Sequence, residues 1–478
     1  MPTPPSTPQK GHTFEEFDFQ PFGTLLQPII RKSVEECGLA TVRKGTKLPP
    51  IFVIWVVLMS TIRRDLNGHH LINWMLSGFR WFEGCLPACS QVIRDGALTH
   101  ARERVGLTVF QTLFRKLQGQ HPPLQPDFHG RVTGAFDGST GTMPDTASNR
   151  ATWGKPGSSR GPAAFPQIRF MCLLVVATRT IWELAYAPYR GKQTGERALM
   201  QTIVQRLGGV VFLLLLDAGL YSFEMLWLLK HNGHDVIVKA PKTVKLPVLK
   251  RFSDGSFLTR IMDSVEVSGD PECPTARRQW RTESLSLRAM RVQIPGYRPW
   301  VLVTTLLDLA IHAREIARHY HTRWDIEIAY DEIKTHQCAT LRGHSPTTFR
   351  SKRGDFVEQE LYAMVIIYTA IRLLMAQAAQ TTGADPRDLS FLETLHHCIE
   401  AAPLLTLHDE ARQEIAFQYL LSVIVTARID RPRRQRVAPR VIKVDRSRFP
   451  RKRDTDVVII RDMEKDLKIL GGEGETTS

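Results

Sequence analysis

Four side chains able to do chemistry stand close together late in the chain. Between Tyr320 and Lys334 the sequence reads Tyr-His-Thr-Arg-Trp-Asp-Ile-Glu-Ile-Ala-Tyr-Asp-Glu-Ile-Lys, which puts Tyr320, Arg323, Glu327 and Lys334 at offsets of zero, three, seven and fourteen. At about 100° per residue these offsets fall within an arc of about 60° on one helix face. Burying two cations and an anion without partners is expensive, so the stripe is expected to be a surface. Its guanidinium and ammonium suit a phosphate backbone, and its carboxylate suits a metal ion.

Two further carboxylates follow predicted strands. Asp137 comes after Thr133-Gly134-Ala135-Phe136, and Asp217 comes after the apolar run Val210 to Leu216. In open α/β sheets, ligands gather outside the carboxyl ends of the strands. Three carboxylates on separate elements provide the oxygen ligands that a hard divalent cation requires. Two such ions about 4 Å apart could serve both the attacking and the leaving oxygen in phosphodiester cleavage. From the residues alone other readings stay open. Asp137 also fits the start of a turn, as Asp-Gly does, and Asp217 fits the plain end of a strand. Asp325, Asp331 and Glu332 are rivals to Glu327, and Asp325 and Asp331 are alternative ion-pair partners for Arg323 and Lys334.

The elements that must position these residues follow a recognisable order. After a Pro-rich hinge from His121 to Asp127 comes the strand leading to Asp137. Two strands (Ile168 to Ala177, Ile181 to Ala187), a helix (Gln193 to Leu207), the strand before Asp217, a helix (Ser222 to His231) and a strand (Asp235 to Lys239) follow. Three successive strands and then alternating helix and strand predict an α/β fold, a mixed sheet with helices on both faces. From Ala240 to about Asp308 helical periodicity gives way to short alternating runs separated by Asp254-Gly255, Gly269-Asp270 and Pro295-Gly296, a β-rich insertion. Residues 1–12 are expected to be disordered and 13–125 helical. The catalytic unit is assigned to 126–240 and 309–380, the insertion to 241–308, and further helices and a basic tail to 381–478. Around Cys85 to Gly106, with Ser90 as a cap, two short helices exposing Arg94, His100, Arg102 and Arg104 fit either a helix for the DNA major groove or an ordinary helical domain with a basic face.

Composition narrows the partner. The 478 residues carry a formal net charge of +15 and are 43% hydrophobic, enough for two or three domains and suited to a polyanion. Between Arg428 and Arg453 ten Arg and two Lys stand against Asp430 and Asp445, a net of +10. The seven cysteines show no Cys-x-x-Cys pair, and no signal segment precedes them, so they are expected to be reduced thiols in a cytoplasmic protein. The apolar runs near Ile51 to Met59 and Val210 to Leu216 are too short to span a bilayer, and no membrane association is expected.

Phe136-Asp137-Gly138-Ser139 with Pro144-Asp145-Thr146 and Asn149, then Leu216-Asp217-Ala218-Gly219-Leu220-Tyr221-Ser222, then the Tyr-Arg-Glu-Lys stripe, resemble in kind and order the cut-and-paste transposases of bacterial insertion sequences, specifically the insertion-sequence-four family. The likeness covers most of the chain; Ser139 stands where relatives commonly have Thr. The resemblance implies a ribonuclease-H-like catalytic domain in which Asp137, Asp217 and Glu327 bind two Mg²⁺ ions, Mn²⁺ being a possible substitute. It implies that Tyr320, Arg323 and Lys334 contact phosphates near the transposon end, and that Trp300 stacks on a flipped base, although a Trp leading into an apolar strand also fits core packing. It further implies double-stranded DNA as partner, both the terminal inverted repeats and the target, cleavage through a DNA hairpin, and a homodimer on paired ends. The rival readings are a catalytically inactive DNA-binding relative and another ribonuclease-H-like nuclease.

Overall fold

The computed structural model describes residues 19–41, 48–76, 95–158, 161–267, 279–295, 298–338, 347–405, 410–429, 436–437 and 461–471. The segment expected to be disordered, Ser90 with Arg94, and nearly all of the basic run after Arg428 lie outside them.

The chain lays down β1 (Thr133–Thr142), a short hairpin of β2 (Gly157–Ser158) and β3 (Gly161–Pro162), β4 (Gln167–Val175), β5 (Thr180–Pro188), β6 (Leu213–Leu216), β7 (Asp235–Lys239), β8 (Lys250–Arg251), β9 (Phe257–Val267), β10 (Gln279–Gln293) and β11 (Trp300–Thr304). β12 (Arg436–Val437) pairs with β13 (Arg461–Asp462), and β14 (Lys468–Ile469) ends the series. One ten-stranded sheet runs β5-β4-β1-β6-β7-β11-β10-β9-β8, with β14 added beside β10. β4 runs antiparallel to both of its neighbours, β5 and β1, whereas β1, β6 and β7 are parallel. This is the ribonuclease-H-like arrangement. The expected β-rich insertion is antiparallel, but β7 pairs directly with β11, so its strands continue the catalytic sheet.

Local sequence explains the central elements. The four leucines of β6 are fully buried, as befits a parallel strand covered on both faces. The following helix Phe223–His231 is capped by Ser222, whose hydroxyl accepts from the Met225 amide; Glu224 lies in its first turn, Lys230 and His231 in its last. Gly233, at φ +82°, turns the chain back into β7. On one face of the sheet, Phe136, Leu214 and Leu216 pack with Leu199, Ile203, Met225 and Leu229. On the other lies the larger core, shared by the N-terminal helices and the 27-residue core helix Gly354–Gln380.

That core helix is long and apolar enough to cross a membrane by length and composition, a feature the sequence reading passed over, but 94% of its apolar window is buried inside the protein. It is buried because it is apolar nearly all round and other elements surround it. Arg102, expected to be exposed, instead packs on it: Nε donates to Gln359 Oε1 at 3.1 Å and the guanidinium lies over the Phe356 ring. Burial lowers its pKa to about 10. His100 and Arg104 are exposed. Cys37, Cys172, Cys338 and Cys398 are free thiols. The basic segment is bracketed by docked ends, because Ile429 donates to Asp388 O before it and β14 pairs with Val292 and Gln293 of β10 after it.

Candidate active site

Strand parity brings the two aspartates together. Ala135 of β1 and Leu213 and Leu215 of β6 pack in the core that also takes Ile326, Ala329 and Tyr330 of the helix Trp324–Asp331, whereas Phe136, Leu214 and Leu216 fill the opposite core. Side chains alternate along a strand, so Asp137 and Asp217 both point to the face where the Glu327 helix lies. The parallel register sets Ala135 beside Leu215, and two residues further along the chain in each case Asp137 and Asp217 leave that pairing at the same end of it. β1 does not stop at Phe136 as the sequence predicted. β4 keeps pairing with it as far as Thr142, while β6 ends at Leu216. Asp137 therefore sits within a strand whose β6 side has just become open.

The segment carrying the stripe is not one uniform helix. An α-helix (Ala313–Tyr320) passes into a 3₁₀ turn (His321–Arg323), an α-helix (Trp324–Asp331) and a π-helical turn (Glu332–Gln337). Tight and wide turns offset one another, and all four side chains still reach the same side. Tyr320 Oη donates to Leu216 O at 3.0 Å, beside Asp217. Arg323 Nη2 donates to Glu327 Oε1 at 2.8 Å. Lys334 Nζ donates to Ser139 Oγ at 3.2 Å, two residues past Asp137. The stripe lines a groove more than it faces open solvent: Arg323 is buried, and Tyr320, Glu327 and Lys334 are half-buried. Glu327's rivals lie elsewhere. Asp325 and Glu332 are 1% and 5% exposed on the far side of the helix, and exposed Asp331 stands 3.7 Å from His336.

Arg323 stands in the field of all three carboxylates. Burial alone would lower its pKa, but Tyr320, Glu327 and Asp217 raise it. Burial raises the Asp137 carboxyl to about 6; Arg323 and the Gly138 amide oppose the rise, and Glu327 and Glu196 add to it. Tyr320 is held above the usual phenol range, chiefly by burial. Burial lowers Lys334.

Family models match the chain over residues 23–115 (insertion element 4 transposase N-terminal) and 128–370 (transposase DDE domain), the second spanning just over half of it. The chain belongs to the insertion element 4 family of DDE transposases. This transposase is 25% identical to transposase InsG for insertion sequence element IS4 of Escherichia coli K12 over 437 residues, covering 90% of this chain and 92% of that protein. It is 28% identical to the putative transposase InsZ of the same organism over 199 residues, covering 41% of this chain and 61% of InsZ. A structure of the piggyBac transposase synaptic complex with hairpin DNA aligns with a TM-score of 0.41 and 11% identity, covering 86% of this chain and 84% of that one.

The donor chemistry of the transposase suits a hard divalent cation, with carboxylates from β1, the end of β6 and the Glu327 helix directed to one groove. Among the described residues, no group of three or more His, Cys, Asp or Glu side chains is drawn close enough to hold a metal ion, and Glu327 spends one oxygen on Arg323. Trp300 opens β11, partly buried against the same core as Ala135 and Leu215. Leu302 pairs with Lys239 and Leu216 with Val238, so Trp300 stands at the same end of the strands as Asp217, with β7 between them.

One residue escaped the sequence reading. Tyr330 Oη donates to Asp137 O at 2.6 Å and accepts from Cys172 N at 3.1 Å, tying the Glu327 helix to the strand pair that carries Asp137. Its ring meets Phe170 edge-on at 5.6 Å. In sequence it belongs to the apolar stripe Ile326, Ala329, Tyr330, Ile333 and reads as core; its hydroxyl is the only hint of a further task.

Proposed function

We propose that the transposase excises and inserts its element by cut-and-paste chemistry at the terminal inverted repeats, with Asp137, Asp217 and Glu327 as the catalytic carboxylates. The observation that carries this reading is that strand parity aims Asp137 and Asp217 at the helix face bearing Glu327, with Tyr320, Arg323 and Lys334 around them. Two Mg²⁺ ions held by the three carboxylates would supply charge stabilisation to the entering and leaving oxygens of an in-line displacement at phosphorus.

Arg323 and Lys334 would hold phosphate oxygens of the transposon end, Arg323 with a planar fork and Lys334 as a point charge. Tyr320, anchored on the carbonyl before Asp217, would orient the strand entering the groove. Water attacks a phosphodiester at the element's end, leaving a 5′-phosphate and a free 3′-hydroxyl, and that 3′-hydroxyl attacks the opposite strand, displacing the 3′-oxygen of the flanking DNA and closing a hairpin. Trp300 would stack on the base extruded as the hairpin forms. Opening the hairpin leaves an end for joining to target DNA. Paired ends call for a homodimer, and the helical region 13–125 and the basic run from Arg428 to Arg453 would add DNA contacts whose strength falls with salt.

The test mixes the full chain with DNA carrying its element's ends, with and without Mg²⁺. Nicks and hairpins that vanish in Asp137→Ala are expected. End binding with no cleavage by the wild type would leave an inactive DNA-binding protein, and cutting of branched DNA without end joining would point to a different nuclease.

A further inference from the structure

The face of the Glu327 helix turned away from the groove carries a second set of charges, all deeply buried. Asp325 and Glu332, seven residues apart, share that face. Asp325 Oδ1 accepts from Arg179 Nε at 2.7 Å, and Arg387 Nη1 stands 3.9 Å from its other oxygen. Glu332 accepts from Tyr368 Oη at 3.0 Å and from Arg372 Nε at 3.1 Å, with Arg179 Nη1 3.9 Å away. Arg179 is 2% exposed and Arg372 0%. Arg179 comes from the turn joining β4 to β5, and Arg372 from the core helix.

We propose that Arg179 and Arg372 are positioning residues for the transposase reaction: clamped on Asp325 and Glu332, they set the rotation of the helix and so aim Glu327 at Asp137 and Asp217. Glu327 lies two residues from Asp325, about 200° round the helix, so a grip on one face dictates where the other points. The proposal rests on the reading of Glu327 as catalytic.

Three observations set this apart from plain core stability. Buried ion pairs add little stability over well-packed apolar side chains, whereas planar guanidinium forks accept a carboxylate in few orientations. Arg179 holds φ +56°, a left-handed backbone that glycine would adopt without strain, so its side chain is not there to make the turn. And the winding widens at Glu332, where the π-helical turn begins, so the grip falls where the helix changes pitch.

The double variant Arg179→Gly/Asp325→Asn relaxes the turn and leaves no uncompensated charge. On the full chain, melting temperature, affinity for terminal-repeat DNA, and single-turnover cleavage against Mn²⁺ concentration are measured. The melting temperature and DNA affinity are expected to stay near wild type, cleavage to fall about 10–100-fold, and half-saturation to move to higher Mn²⁺. A folded double variant that cleaves at the wild-type rate overturns the proposal. If that variant does not fold, Arg372→Lys, which keeps the charge and loses the fork, decides on the same readouts: slower cleavage with unchanged DNA affinity supports it, and unchanged cleavage overturns it. Glu327→Gln is assayed alongside. If that variant cleaves normally, the reading of Glu327 has failed; if it is dead while the arginine variants cleave normally, the positioning role alone has failed.

Discussion

Arg323 Nη2 lies 2.8 Å from Glu327 Oε1, one helical turn away, so the helix that offers the third carboxylate also carries the cation engaging it. A phosphate arriving at the groove competes for the same guanidinium. Taking Arg323 would free Glu327 for a metal ion, and by linkage a metal ion on Glu327 would favour DNA.

In Arg323→Gln, the DNA-free protein is therefore expected to bind Mn²⁺ more tightly, by about tenfold or more, since a unit positive charge about 6 Å from a divalent ion costs about 1.4 kcal/mol even at the dielectric of water, ~80, while its affinity for terminal-repeat DNA falls. Titrations of Mn²⁺ with and without DNA measure both. Wild-type metal affinity that ignores DNA would show that the pair never opens.

Asp137 sets a pH dependence. Burial, with Glu327 and Glu196 adding, raises its carboxyl from 3.8 to about 6. The folded chain therefore holds a proton there that the unfolded chain would release, and the stability this gives is complete below about pH 4 and lost as pH rises through about 6. In metal-free protein, Asp137→Asn is expected to stabilise the fold at pH 7 by about 1–3 kcal/mol and to do little near pH 4. Denaturant titrations at the two pH values check this, and an equal gain at both would contradict it.

Tyr330→Phe removes the hydroxyl shared by the Asp137 carbonyl and the Cys172 amide. A destabilisation of about 1–3 kcal/mol is expected from the two groups left without it, together with slower cleavage and unchanged DNA affinity. Denaturation and cleavage assays on one preparation test both parts.

Trp300→Ala separates stacking from packing. Loss of about 1–3 kcal/mol of stacking should slow hairpin closure by roughly tenfold or more while first-strand nicking continues. A melting temperature that drops with both steps slowed equally would return Trp300 to the core.

Sequence made the fold legible where periodicity and turn chemistry agreed. The pattern places the strand Asp235 to Lys239 to the residue and the helix Ser222 to His231 to within one residue, its first position, Ser222, being the cap. β1 was cut short at Phe136 because Gly138 and Gly141 break the apolar pattern, while the pairing with β4 that prolongs it is set by tertiary contact. The stripe was placed correctly on one side, yet its 3₁₀ and π turns answer to packing on both faces of the sheet, which a uniform 100° step cannot express. The family spacing singles out Glu327 among Asp325, Asp331 and Glu332, but the engagement of Asp325 and Glu332 by the buried arginines Arg179 and Arg372, about 150 residues before and 40 residues after the helix, is a tertiary contact that no local pattern shows. Arg102 was misread because nothing local shows that the core helix covers it.

The most direct measurement compares Glu327→Gln with wild type on terminal-repeat DNA in Mg²⁺, scoring strand cleavage and binding in the same samples. Cleavage abolished with DNA affinity equal to or above that of wild type is the expected result, since Arg323 loses its carboxylate partner and becomes free for phosphate. Cleavage at the wild-type rate would contradict the assignment of Glu327 as the third catalytic carboxylate.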